Sequence, residues 1–167
     1  MKRIICSLAI LFSPFIVFSQ DISGLWKGTI FNDSTKQSLP YEVYITKEGG
    51  KLSGYSHTWF VISGQKCYGI KKVKVRIAKD GKVIIQDDAL LVNNYPVLDK
   101  NVYQLNVLDL QQSGEEAVLN GPFATNRSKQ YGELTGHINI KKVSTTTESA
   151  LMQYLQRNAG ENGIAAK

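Results

Sequence analysis

The chain has 167 residues, 43% hydrophobic and 20% charged, with a net charge of +6. These values exclude a disordered, collagenous or disulfide-stapled chain and describe one domain with a real core. Setting aside Lys2 and Arg3, which belong to an expected leader, leaves +4, a basic excess too mild to name a partner.

Met1 to Ser19 reads as a secretory signal peptide. Lys2 and Arg3 form the charged start, Ile4 to Phe18 is mostly apolar, and Val17 and Ser19 are the small residues a signal peptidase selects. The apolar run is about 15 residues long, short of the roughly 20 that span a bilayer as a helix, and Ser13 and Pro14 interrupt it. The expectation is an exported protein, periplasmic or secreted, that does not span the membrane after cleavage. Cys6 falls inside the leader, so Cys67 stands alone in the mature chain and no internal disulfide can form.

In the domain of residues 20–142, short alternating segments from Leu25 to Lys142, separated by turn residues, predict strands. They are Leu25–Phe31, Tyr41–Lys47, Leu52–Ile62, Lys66–Ile77, Lys82–Leu91, Val102–Leu110, Val118–Thr125 and Glu133–Lys142. Glu48-Gly49-Gly50-Lys51, Ser63-Gly64-Gln65 and Lys79-Asp80-Gly81 supply the glycines that tight hairpins require, so the strands form an antiparallel meander. No helical pattern interrupts them, which disfavours parallel βαβ folds. Gly28, Gly54, Gly69, Gly121 and Gly136 fall inside strands, where glycine marks bends or close backbone approach and suits a small closed barrel. In residues 143 to 167, Thr145 and Glu148 fit a capping box, and Ala150, Leu151, Tyr154 and Leu155 share a helical face. A short helix is therefore predicted over Thr146–Asn158, ended by Gly160 and followed by a loose tail.

Gly24-Leu25-Trp26, leading straight into the first strand of an eight-stranded meander, resembles the G-x-W opening of lipocalins and the wider calycin group, as in exported lipocalin-like domains of bacteroidete bacteria. The resemblance implies an all-β, antiparallel, eight-stranded up-and-down barrel with a ligand cavity at one end. It gives Gly24 and Trp26 a structural role in closing the other end, with Lys141 or Lys142 standing in for the basic residue that packs there. Asn93-Asn94-Tyr95 is the nearest counterpart of the family's later loop motif and departs from it.

In the third strand, period-two alternation places Tyr55, His57 and Trp59 on one face and Ser56, Thr58 and Phe60 on the other. The aromatic face is a candidate ligand wall, weighed against plain core filling. Glu42 and Tyr44 are candidate polar contacts in the same cavity, weighed against a solvated outer face. Lys72, Lys74 and Arg76 alternate with Val73, Val75 and Ile77, giving a positive strand face suited to an anionic glycan, or to protection against edge pairing. Aromatic residues are not interleaved with it as single-stranded nucleic acid would require, so no nucleic-acid partner is expected.

No His-Glu-x-x-His, paired-cysteine or Gly-x-Ser-x-Gly motif occurs, and neither a metal nor another cofactor is expected. Cys67 with His57 is the one conceivable nucleophile pair. Asp87 and Asp88, adjacent in a strand, point to opposite faces. The sequence thus reads as a non-enzymatic exported barrel that holds a small apolar or amphipathic ligand. The alternative is a packed-core interaction module that meets an envelope protein or anionic glycan through its outside.

Overall fold

A computed structural model describes residues 21–144 and 149–162. The expected leader and the expected capping pair Thr145 and Glu148 lie outside the described residues.

Eight strands run in chain order as β1 (Gly24–Asn32), β2 (Gln37–Glu48), β3 (Lys51–Ile62), β4 (Gln65–Ile77), β5 (Val83–Asn93), β6 (Gln104–Ser113), β7 (Glu116–Thr125) and β8 (Thr135–Val143), followed by helix α1 (Ala150–Asn162). Each strand pairs antiparallel with the next, and β8 pairs with β1 to close the barrel. The expected all-β up-and-down barrel is therefore the observed fold. β2 begins before its expected start because residues 37–40 pair with β1 alone; there β2 is an edge, where Pro40 is tolerated without breaking a ladder.

Closure fixes which face of each strand is inside. Tyr41, Val43 and Ile45 of β2 point inward, and the register carries that face through Ser56 and Thr58 of β3 to Gly69, Lys71 and Val73 of β4. At the β1–β8 seam the backbones approach so closely that a Cβ on Gly28 would lie 2.1 Å from the Asn139 carbonyl oxygen, and one on Gly136 1.9 Å from that of Phe31. A side chain at either position would push the seam open, which is why glycine interrupts these strands.

The hairpins β2–β3, β4–β5 and β6–β7 mark one end of the barrel. Trp26 is fully buried there and its indole N–H donates to the Ile22 carbonyl at 2.9 Å, drawing the chain before β1 across the opening. Lys142, the register partner of Trp26, donates to the Asp21 carbonyl at 2.7 Å. Ile45, Val43, Val73, Ile85, Val83, Leu108, Leu119 and Ile140 fill this half, and their removal from water is the main favourable contribution to folding.

Helix α1 starts at Ala150 because Ser149 caps it, accepting the Met152 backbone N–H at 3.1 Å on its hydroxyl. It begins later than expected and runs through Gly160 to Asn162 instead of ending at Asn158. It packs on the outside of β2 and β3. Trp26→Ala should remove about 3–5 kcal/mol of stability, measured by urea denaturation; a loss under about 1 kcal/mol would show that Trp26 does not hold the closed end.

Candidate functional site

The tight Gly49-Gly50 turn, with φ of 54° and 79°, sets Glu48 opposite Lys51. The same register sets Tyr44 opposite Tyr55 and Glu42 opposite His57. Glu42, Tyr44, Tyr55, His57 and Trp59 are therefore brought together on one continuous face, but that face is the outside of the barrel. This corrects the expectation of an interior wall: alternation separates two faces without saying which is inward, and the inward one belongs to Tyr41, Val43, Ile45, Ser56 and Thr58. Glu42 and His57 are nonetheless only 5% exposed, because α1 lies over them.

Glu42 is the anchor of that helix. Its Oε2 accepts the Leu151 N–H at 2.9 Å and the Ser149 hydroxyl at 3.0 Å, while Oε1 lies 3.4 Å from the Lys27 ammonium. A carboxylate at the first turn meets the positive end of the helix dipole. His57 stacks on Trp59 with ring centroids 3.6 Å apart and meets the edge of Tyr68. Neither of its ring nitrogens has a hydrogen-bond partner. Burial holds its pKa down at about 4, against the opposing pull of Glu42, so the ring is a neutral packing element here. Cys67 faces inward across the same sheet, so the barrel wall separates it from His57.

The interior of the other half, the mouth, carries a buried polar group that alternation around Lys72 had obscured. Tyr41, Ser56, Thr58, Lys71, Asp87, Gln104, Asn106 and Thr125 all point inward and are buried. Lys71 forms an ion pair with Asp87 Oδ2, which also accepts the Gln104 backbone N–H at 2.7 Å. The Gln104 side-chain amide donates to Asn106 Oδ1 at 2.8 Å, and Asn106 Nδ2 donates to the Tyr41 hydroxyl at 2.9 Å. The network thus crosses from β4 through β5 and β6 to β2. Two of its polar atoms, Ser56 Oγ and Gln104 Oε1, remain without a partner; the Ser56 hydroxyl is a neighbour of the Tyr41 hydroxyl. Burial pushes the Asp87 carboxyl above its ordinary range, with Lys71 pulling the other way.

The barrel wall is weakest beside this network. β5 and β6 pair only over Val83–Gln86 and Leu105–Leu108. Beyond Gln86, β5 carries two irregularities against β4 that leave Asp88 and Leu91 as extra residues. The connection from β5 to β6 is fastened to β4 by Asn94, which accepts the Tyr68 N–H at 2.7 Å. It folds Tyr95 into the mouth.

Asp88 lies on the face opposite Asp87, as expected, and there pairs with Lys74 on the outside at 2.6 Å. Lys72, Lys74 and Arg76 line the exposed outer face, so the positive face exists, with Lys74 already partnered. Among the described residues no three His, Cys, Asp or Glu side chains are grouped to hold a metal ion. Comparison with protein-family models, with curated proteins and with solved structures gives no match to this chain.

Two outcomes follow from this geometry. His57 is more acidic folded than unfolded, so its contribution is fully present above about pH 6.5 and is lost as the pH falls towards its folded value of about 4. Melting temperatures between pH 7 and pH 4 should therefore fall more steeply for the wild type than for His57→Phe; parallel curves would contradict a buried neutral imidazole. In the mouth, Lys71→Met alone should cost about 3–5 kcal/mol by stranding Asp87, whereas Lys71→Met with Asp87→Leu should recover most of that loss. Equal urea midpoints for the single and double variants would show that the pair is not coupled.

Proposed function

We propose that this protein is an exported, non-enzymatic binding barrel of lipocalin-like type that takes a small polar or amphipathic molecule into the mouth half of its interior. The observation that carries the reading is the buried polar network with two unpartnered atoms, Ser56 Oγ and Gln104 Oε1. An interior needed only for stability is better filled with apolar side chains, since a buried ion pair contributes little over its hydrophobic replacement and an unpartnered buried polar atom costs about 1–3 kcal/mol. Binding pockets, by contrast, combine apolar walls with a few convergent polar groups. The apolar closed half supplies the stability against which such groups are tolerated. The Gly24-Leu25-Trp26 opening, the buried Trp26 and the basic Lys142 beside it support the lipocalin-like assignment, and the leader supports export.

A second reading, an interaction module working through its outer surface, rests on the exposed Lys72, Lys74 and Arg76 face. The pairing of Lys74 with Asp88 reduces the free charge that an anionic glycan or envelope protein would meet there, and this reading leaves the interior network unexplained.

Saturation-transfer NMR with a library of small polar fragments separates the two. Fragments should receive saturation from the wild type and lose it with the Lys71→Met/Asp87→Leu variant. Equal transfer from both proteins would place binding elsewhere and overturn the reading.

A further inference from the structure

Tyr95 occupies the mouth from above. Its hydroxyl lies 2.2 Å from the position a Cβ on Gly69 would take, and Leu90 Cδ1 lies 3.5 Å from that same position. Gly69 belongs to the inward face of β4, between Cys67 and Lys71, so the Tyr95 hydroxyl enters the barrel interior in space that any other residue at 69 would fill. The ring stands edge-on to Phe60 and to Tyr131, with centroids 6.4 and 6.3 Å away. The phenol is pushed above its ordinary pKa, first by burial and then by the negative charge of Asp87. Ser56 Oγ and Gln104 Oε1 are unpartnered in the same interior. Asn93 Oδ1 accepts the Tyr95 N–H at 3.0 Å, fastening the start of the connection.

We infer that Tyr95 is an internal stand-in for the guest, and that the guest is a small phenol: a flat apolar body with a hydroxyl tip that enters where Tyr95 now sits. This rests on the interior-binding reading above. The side walls left by a withdrawn Tyr95 are aromatic and aliphatic, Phe60, Tyr131 and Leu90, and the floor is the Lys71–Asp87 network. An untethered phenol can descend further than a side chain fixed to the β5–β6 connection and can donate its proton to a buried acceptor that Tyr95 leaves unserved. The short β5–β6 ladder beside Asp87 is the part of the wall through which the loop can move aside.

The plug competes with the guest, so its removal raises apparent affinity in proportion to the fraction of time the mouth was closed. Isothermal titration with p-cresol should show at least tenfold tighter binding to Tyr95→Gly than to the wild type. Adding Gly69→Ala to Tyr95→Gly should abolish that gain, because the new methyl occupies the hydroxyl's place. Toluene should bind Tyr95→Gly at least tenfold more weakly than p-cresol. In the unmodified protein, NMR resonances of the Tyr95 ring should shift as p-cresol is added, which tests displacement without any substitution. Unmoved Tyr95 resonances at saturation, or equal p-cresol affinity for wild type and Tyr95→Gly, would overturn the inference. Binding of the non-aromatic probe erythritol, but not of p-cresol, would overturn the phenol class while leaving interior binding intact. Failure of both probes with both proteins would remove the binding reading as well.

Discussion

The ion pair between Lys71 and Asp87 is the constraint around which the mouth of this barrel is arranged. Two opposite charges held away from water need each other and need further hydrogen bonds. Asp87 obtains its second one from the Gln104 backbone at the point where the β5–β6 ladder ends. Where the ladder stops, the Asp87 carboxylate takes the Gln104 N–H, and β5 bulges twice immediately beyond it. From Gln104 the polar chain continues through Asn106 to Tyr41, tying four strands together inside the barrel. Removing either charge strands the other; removing both relaxes the whole arrangement.

The two halves of the interior divide the work. The closed half, from Trp26 to Leu119, is apolar and buried, and that burial stabilises the fold. The mouth half is polar, incompletely satisfied and plugged by a side chain from its own loop. Such a division suits the interior binding proposed above, in which a rigid scaffold carries a less stable site. The outer face under α1 follows a different logic. Glu42 there fixes a helix by its N-terminus, and His57 fills the space beneath as a neutral ring.

Much of the fold was legible because strands announce themselves by alternation and hairpins by glycine. The in-strand glycines and the opposite orientation of Asp87 and Asp88 were readable on the same grounds, whereas the closing role of Trp26 came from the resemblance of Gly24-Leu25-Trp26 to the lipocalin opening. The site was not. Lys71 sits in a run with Lys72 and Lys74, and a lysine in such a run looks solvated until a partner on another strand is known; Asp87 lies 16 residues away. The bulges in β5 shift its pairing without any sequence mark. Tyr55, His57 and Trp59 drew attention because an aromatic strand face looks like a pocket. One signal could have corrected this: the Gly49-Gly50 turn fixes the β2–β3 register and sets His57 opposite Glu42, on the side away from Tyr41, Val43 and Ile45. The start of α1 at Ala150, just after Ser149, is held by Glu42 from a distant strand, which local capping patterns cannot anticipate.

The most direct test of an interior site is a high-resolution crystal structure of the mature protein purified from an exporting host and soaked with the small polar fragments that bind it best. Non-protein density should appear within hydrogen-bonding distance of Ser56 Oγ or Gln104 Oε1, with Tyr95 turned out of the mouth. Density on the outer face alone, with Tyr95 in place beside Gly69, would contradict it.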